Sequence, residues 1–249
     1  MKKLTALLLV VVLAVAMLAS CQVDDPMKKS EGVMTYDEYM AAELNTEVVI
    51  EAYVQATQSW WDNKITVYLA DLDGAYFVYE MACSKDDAAK LTRGTKIKVT
   101  GTKAAWDGEV EIVDATFTFG DDVKCVMSAE DVTSYLGNKD EMIKRQNQLV
   151  AFKGMKVTAI SYKGGTPGDD IYVTAEKDGK AISFCVERYL TDPESDVYTA
   201  FTGKADAEGE QDLIVVGDTV DIEAFLYWWE SDDNPAGANP HITKITEVK

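Results

Sequence analysis

Histidine is nearly missing from this chain of 249 residues: His241 stands alone, so no second imidazole is present to build a metal site or support a Ser-His pair. Cys-x-x-Cys pairs and glycine-rich phosphate loops are absent as well, which removes the usual sequence marks of redox and nucleotide-hydrolysing enzymes. Carboxylates are abundant, yet no spacing singles out a pair of the kind a glycosidase needs. Asp169-Asp170 and Asp232-Asp233-Asn234 carry oxygen ligands of the type calcium takes, but neither follows an EF-hand pattern, and in so acidic a chain they read as solvated loop acids. A non-enzymatic protein without metal or cofactor is the expectation.

Positive charge is scarce too. There are 24 Lys and Arg against 43 Asp and Glu, a net charge of −19. Such a surface is soluble and repels polyanions, which disfavours nucleic acid as a partner, since Lys and Arg contacts to phosphates supply most non-specific affinity.

Only the first twenty residues hold a long apolar run. Lys2 and Lys3 form a basic start, residues 6–18 are wholly apolar, and small residues lead up to Cys21: the pattern of a secretory signal peptide, too short for a usual membrane span. Leu18-Ala19-Ser20-Cys21 resembles the lipobox of bacterial lipoproteins. The resemblance implies cleavage before Cys21, lipid on that cysteine, and a protein held on the bacterial cell membrane facing outside the cytoplasm. Residues 21–34 then read as the lipidated cysteine and a flexible tether, because residues 22–33 have too little apolar content to fold. Of the remaining cysteines, Cys83, Cys125 and Cys185, at most two can pair, and Cys83 with Cys125 is the pair to test.

Residues 47–119 alternate apolar and polar positions at the period of β-strands. Val48, Ile50, Ala52 and Val54 share one face; Ile65, Val67 and Leu69 repeat it; the turn at residues 71–74 precedes a third strand at 75–83. Ser84 caps a short helix, a fourth strand covers 95–103, and Trp106-Asp107-Gly108-Glu109 signals a hairpin into a fifth strand with a bulge between Ile112 and Val113. Three strands, a short helix and a closing hairpin resemble the order of the OB-fold, a small closed barrel.

The order returns downstream. Residues 152–161, 170–176 and 181–187 match the first three strands, residues 188–200 take the place of the helix, and residues 217–222 mirror 94–99 before a last strand at 241–248. The expected fold is therefore mainly β: two tandem five-stranded OB-fold-like barrels, each preceded by a short helix, after the lipoprotein signal peptide. Residues 35–120 hold a helix opened by the Thr35 to Glu38 capping box and the first barrel, 121–148 a helical linker with a second capping device at 128–131, and 149–249 the second barrel.

The aromatic residues carry what functional signal there is. In residues 220–229 one face holds Val220, Ile222, Ala224, Leu226 and Trp228, and the other, marked outward by Asp221 and Glu223, ends in Phe225, Tyr227 and Trp229. In OB-folds the ligand surface is the face of strands two and three with the loops joining strands one to two and four to five. Trp60, Trp61, Tyr68 and Trp106 resemble that layout in the first barrel. With Tyr227 and Trp229 they form the expected ligand-binding set, and exposed rings of this kind stack on sugars, bases or Pro-rich peptide. The acidic surround and the extracytoplasmic address make a glycan, a peptide or a surface protein the expected partner, with an oligonucleotide as the alternative and a carboxylate hydrolase behind it.

Overall fold

The computed structural model describes residues 19–21, 29–204, 213–232 and 234–248; the expected signal peptide up to residue 18 and residues 22–28 of the expected tether lie outside these. A three-residue strand, β1 (Ala19–Cys21), pairs antiparallel with residues 125–127 at the end of a later strand. Helix α1 (Tyr36–Ala41) follows, and it starts where the sequence predicts. The Thr35 hydroxyl accepts from the Glu38 N–H while the Glu38 carboxylate accepts from the Thr35 N–H, a reciprocal cap of about 1 kcal/mol. Its other end is held by Lys103, whose buried ammonium donates to the carbonyls of Tyr39, Met40 and Ala42.

The first barrel is built from β2 (Glu47–Thr57), β3 (Lys64–Ala70), β4 (Ala75–Ala82), the short helix α2 (Lys85–Ala88), β5 (Thr95–Trp106) and β6 (Glu109–Met127). β2 pairs with both β3 and β5, and β4 closes the barrel by pairing in parallel with β6, Phe77 opposite Glu111 and Val78 opposite Ile112. This is the OB-fold connectivity, and closure leaves no free edge. Every predicted inward residue of the first two strands, from Val48 to Leu69, is buried in one core with Ile97, Val99 and Ile112. The bulge of the last strand falls at Asp114 and Ala115, two residues beyond the predicted place, with Asp114 in the left-handed region at φ 49°.

The linker departs from expectation. β6 runs on to Met127, because Thr95 and β1 continue to pair with it, and the predicted helix opened by Ser128 does not form. Its place is taken by a two-residue strand, β7 (Glu130–Asp131), a single 3-10 turn at Thr133–Tyr135, and the short helix α3 (Lys139–Met142). Val132, Leu136 and Met142 belong to the core of the second barrel, so burial of these three, not the capping signal, decides the local backbone.

The second barrel repeats the first with β8 (Leu149–Tyr162), β9 (Ile171–Lys177), β10 (Lys180–Val186), α4 (Asp196–Thr202), β11 (Thr219–Phe225) and β12 (His241–Glu247). β8 pairs with β9 and β11, and β10 meets β12 in parallel at Cys185 and His241. The two halves are thus the same connectivity written twice. Val220, Ile222, Ala224, Leu226 and Trp228 are all fully buried, as the alternation predicts. Cys83 and Cys185 are buried free thiols, so the bond between Cys83 and Cys125 that the sequence suggested testing is not formed.

Candidate ligand cleft

The two barrels meet through the first barrel's OB ligand face. Tyr68 on β3 and Phe77 on β4 pack against Leu149 and Phe225 of the second barrel in one buried cluster, with Tyr68 stacked on Phe225 at 4.4 Å between ring centres. The Tyr68 hydroxyl lies 3.1 Å from Nδ1 of His241, whose ring stacks on Tyr227 at 4.6 Å. Although it follows a stretch rich in Pro and Asn, His241 is not exposed. It is buried at the joint, and burial lowers its pKa to about 4, so the imidazole is neutral.

The hairpin between β5 and β6, the loop that joins strands four and five of the first barrel, is also taken up by the joint. Gly108 sits against the indole of Trp228: a Cβ there would come within 2.8 Å of the ring, and its φ of 88° suits glycine. Glu109 follows, fully buried. It accepts from the Asn147 side chain at 2.6 Å and from the Trp228 N–H at 2.8 Å, and burial raises its carboxyl to about 8. Gln146 completes the clasp by donating to the Gly108 carbonyl and accepting from the Val110 N–H, both at 2.9 Å.

What the joint leaves open is the second barrel's own OB ligand surface. A cleft of about 520 Å³ lies there. Tyr172 and Cys185 come from the second barrel's strands two and three, Asp170 from its loop between strands one and two, and Tyr227, Trp229 and Asn239 from its loop between strands four and five. The first barrel supplies the facing wall: Phe77, Tyr79, Trp106 and Glu111. Trp106 and Trp229 remain 64 % and 42 % exposed, and the Trp229 N–H is held by the Asp107 carboxylate at 3.2 Å.

The six residues singled out from the sequence thus separate. Trp106, Tyr227 and Trp229 line this one cleft. Tyr68 is at 0 % exposure and stands behind it, which corrects its assignment to an open face. Trp60 packs on the first barrel's core with its N–H donated to the Cys83 carbonyl at 2.9 Å, and Trp61 is 79 % exposed; neither lines the cleft. Sequence reasoning missed Phe77, Tyr79, Tyr172 and Glu111, although the outward parity of Tyr172 beside Asp169-Asp170 is a signal of the kind that marked Tyr227. Among the described residues no group of three His, Cys, Asp or Glu side chains is placed to hold a metal ion.

The architecture defines a tandem OB-fold-like protein with a cleft at the joint of its barrels. No protein-family model matches this chain, and no curated protein does. Solved structures do resemble it: a murine DNA binding protein bound with double-stranded DNA, at 10 % identity and a TM-score of 0.36, covers 81 % of this chain and 95 % of its own. The Ifi202 HINa domain in complex with double-stranded DNA, at 11 % and 0.36, covers 82 % and 100 %. A replication protein A heterotrimer bound to single-stranded DNA, at 11 % and 0.29, covers 89 % of this chain, which spans 51 % of that one. The likeness is one of strand order, and no residue or contact is carried across from it.

Two expectations are corrected at this point. The glycan, peptide or surface-protein ligand rested on open aromatic faces in both barrels, and the first barrel's face is closed by the second. The solved structures that resemble the chain are described as bound to DNA, not to a glycan or peptide, which is a statement about those proteins. Net charge weighs only phosphate contacts and says nothing about stacking on rings, so it does not by itself exclude a nucleic-acid ligand.

Proposed function

We propose that this chain is a non-enzymatic binding protein for short single-stranded nucleic acid, taking a base into the cleft between its barrels while the phosphates stay outside. One observation carries the reading: Phe77, Tyr79, Trp106, Tyr172, Tyr227 and Trp229, drawn from both barrels, converge on the surface that OB-folds use for oligonucleotides. Stacking on such rings is worth about 1–3 kcal/mol per base and tolerates any sequence. The acidic exterior sets the backbone apart from the protein, so affinity comes from the rings and has a shallow salt dependence.

The same proposal puts the protein outside the cytoplasm, lipid-anchored to the bacterial cell membrane through Cys21, on the strength of the basic start, the apolar run and Leu18-Ala19-Ser20-Cys21. Cleavage there would remove Ala19 and Ser20 from β1 and keep Cys21, opposite Cys125. The tether is shorter than the sequence suggests, because Lys29 pairs with Asp71 and the Ser30 hydroxyl donates to Glu51 at 2.6 Å. With Cys21 itself paired to the first barrel, a lipid on that residue would hold the barrel directly at the bilayer.

The test is a titration of intrinsic tryptophan fluorescence with short single-stranded DNA and RNA, and with the matching duplexes, at low and high salt. Single strands should quench the signal with little change between salts, and Trp229→Ala should weaken them about tenfold. Absence of binding by any single strand would overturn the reading, as would tighter duplex binding with a steep salt slope.

A further inference from the structure

Rings hold a base but do not choose one, since every base has a π-face. The choice falls to polar groups in the cleft, and three carboxyls line it. Two are occupied. Asp170 accepts from the Arg188 N–H at 3.0 Å and from the Lys163 ammonium at 3.1 Å. Glu187 accepts from the N–H groups of Tyr189 and Leu190 and from the Gln58 amide, at 3.0, 2.8 and 3.1 Å. Glu111 differs from both. It is 9 % exposed, lies opposite Phe77 in the parallel pair that closes the first barrel, and lines the cleft, yet its carboxyl has no hydrogen-bond or ion-pair partner among the described residues. Its oxygens are not sealed from solvent, so a ligand's donor can take the place of water there without displacing a protein partner.

An ionised carboxylate only accepts, through two adjacent oxygens. Guanine alone among the common bases presents two adjacent donors on its Watson–Crick edge, N1–H and the N2 amino group. Adenine and cytosine each set a ring-nitrogen acceptor beside their amino group, and that lone pair meets the second carboxylate oxygen in repulsion. Uracil and thymine offer one N–H flanked by two carbonyl oxygens. We infer that Glu111 reads the Watson–Crick edge of the base held in the cleft and selects guanine. The inference rests on the nucleic-acid reading of the cleft and adds the identity of the base.

The test uses the full-length protein in detergent with guanosine, inosine, adenosine, cytidine and uridine as probes, read by calorimetry or tryptophan quenching. Guanosine should bind most tightly. Inosine, which lacks the N2 amino group, should bind about tenfold less tightly, and the other three weaker by a similar or larger factor, in the range that one bidentate base contact supplies. Glu111→Gln, close in shape, should bring the five within about threefold while Trp229→Ala weakens all of them together. If Glu111→Gln does not fold, the guanosine-to-inosine ratio of the unaltered protein decides alone. Equal affinities in the unaltered protein, or a guanine preference that survives in Glu111→Gln, would overturn the inference and leave the cleft as an unselective stacking site. Failure of every nucleoside and every single strand to bind would overturn the reading beneath it.

Discussion

The backbone N–H of Trp228, in the second barrel, donates to a carboxyl oxygen of Glu109, in the first, across 2.8 Å of buried interface. The other oxygen takes the Asn147 amide at 2.6 Å, and burial raises the pKa of Glu109 from 4.5 to about 8. A carboxyl whose folded pKa lies above its unfolded one favours folding most at low pH. Stability from this group therefore falls as pH rises from about 4.5 through 8, by an amount on the order of a few kcal/mol. Glu109→Gln removes the titration but exchanges one acceptor oxygen for a donor. Urea denaturation should show it less stable than the unaltered protein near pH 5, by about 1 kcal/mol, and more stable near pH 9. Parallel curves for the two proteins across that range would show that Glu109 does not titrate with unfolding.

His241 governs the opposite limb. Its folded pKa of about 4 lies below the unfolded 6.5, so the stability it contributes is present above 6.5 and lost as pH falls toward 4. His241→Phe should keep the stack on Tyr227 and flatten the acid limb. It also strands the Tyr68 hydroxyl, at a cost of about 1–3 kcal/mol. Adding Tyr68→Phe removes the stranded group, so the double variant should recover most of that loss. A double-mutant cycle by thermal unfolding measures the coupling, and strict additivity would mean that the 3.1 Å contact contributes nothing.

These two residues mark where sequence reading stops. Val220, Ile222, Ala224, Leu226 and Trp228 were legible as core because a strand's period of two is local, and the duplication was legible because the pattern recurs. Tyr68 and Phe77 also obey that period, but an outward face covered by another domain has the same alternation as one facing water. Glu109 and His241 gave no sign of burial, since Glu109 sits in an ordinary hairpin turn and His241 follows a loop rich in Pro and Asn. Their partners lie 119 and 173 residues away in the chain, beyond any windowed pattern. Trp106, Tyr227 and Trp229 were legible as a set by parity, while the shared cleft depended on how the barrels dock.

Trp228 is wedged between two glycines, Gly108 at φ 88° and Gly237 at φ 79°, and a Cβ on Gly237 would overlap its indole. Gly237→Ala should destabilise the second barrel by about 1–3 kcal/mol from overpacking, with added strain from the left-handed backbone. Because Trp228 also carries the N–H held by Glu109, displacing it should weaken the joint. The alkaline slope assigned above to Glu109 should shrink in the same variant, and a slope of unchanged size would separate the indole from the clasp.

Two of the most exposed tryptophans make the sharpest comparison for function. Trp61 at 79 % and Trp106 at 64 % exposure are alike in chemistry, in barrel and in lying near a turn. Only Trp106 lines the cleft. If exposed rings bind single strands wherever they occur, Trp61→Ala and Trp106→Ala should weaken binding equally. If the cleft does the binding, Trp106→Ala should weaken it about tenfold, the loss of one stacking surface, and Trp61→Ala should leave it within about twofold. Neither ring belongs to a buried core, so both variants should melt close to the unaltered protein, within about 0.5 kcal/mol of its stability. Competition titrations with one fluorescent single strand settle the comparison directly, and equal losses would assign the binding to surface rings at large instead of to the junction of the barrels.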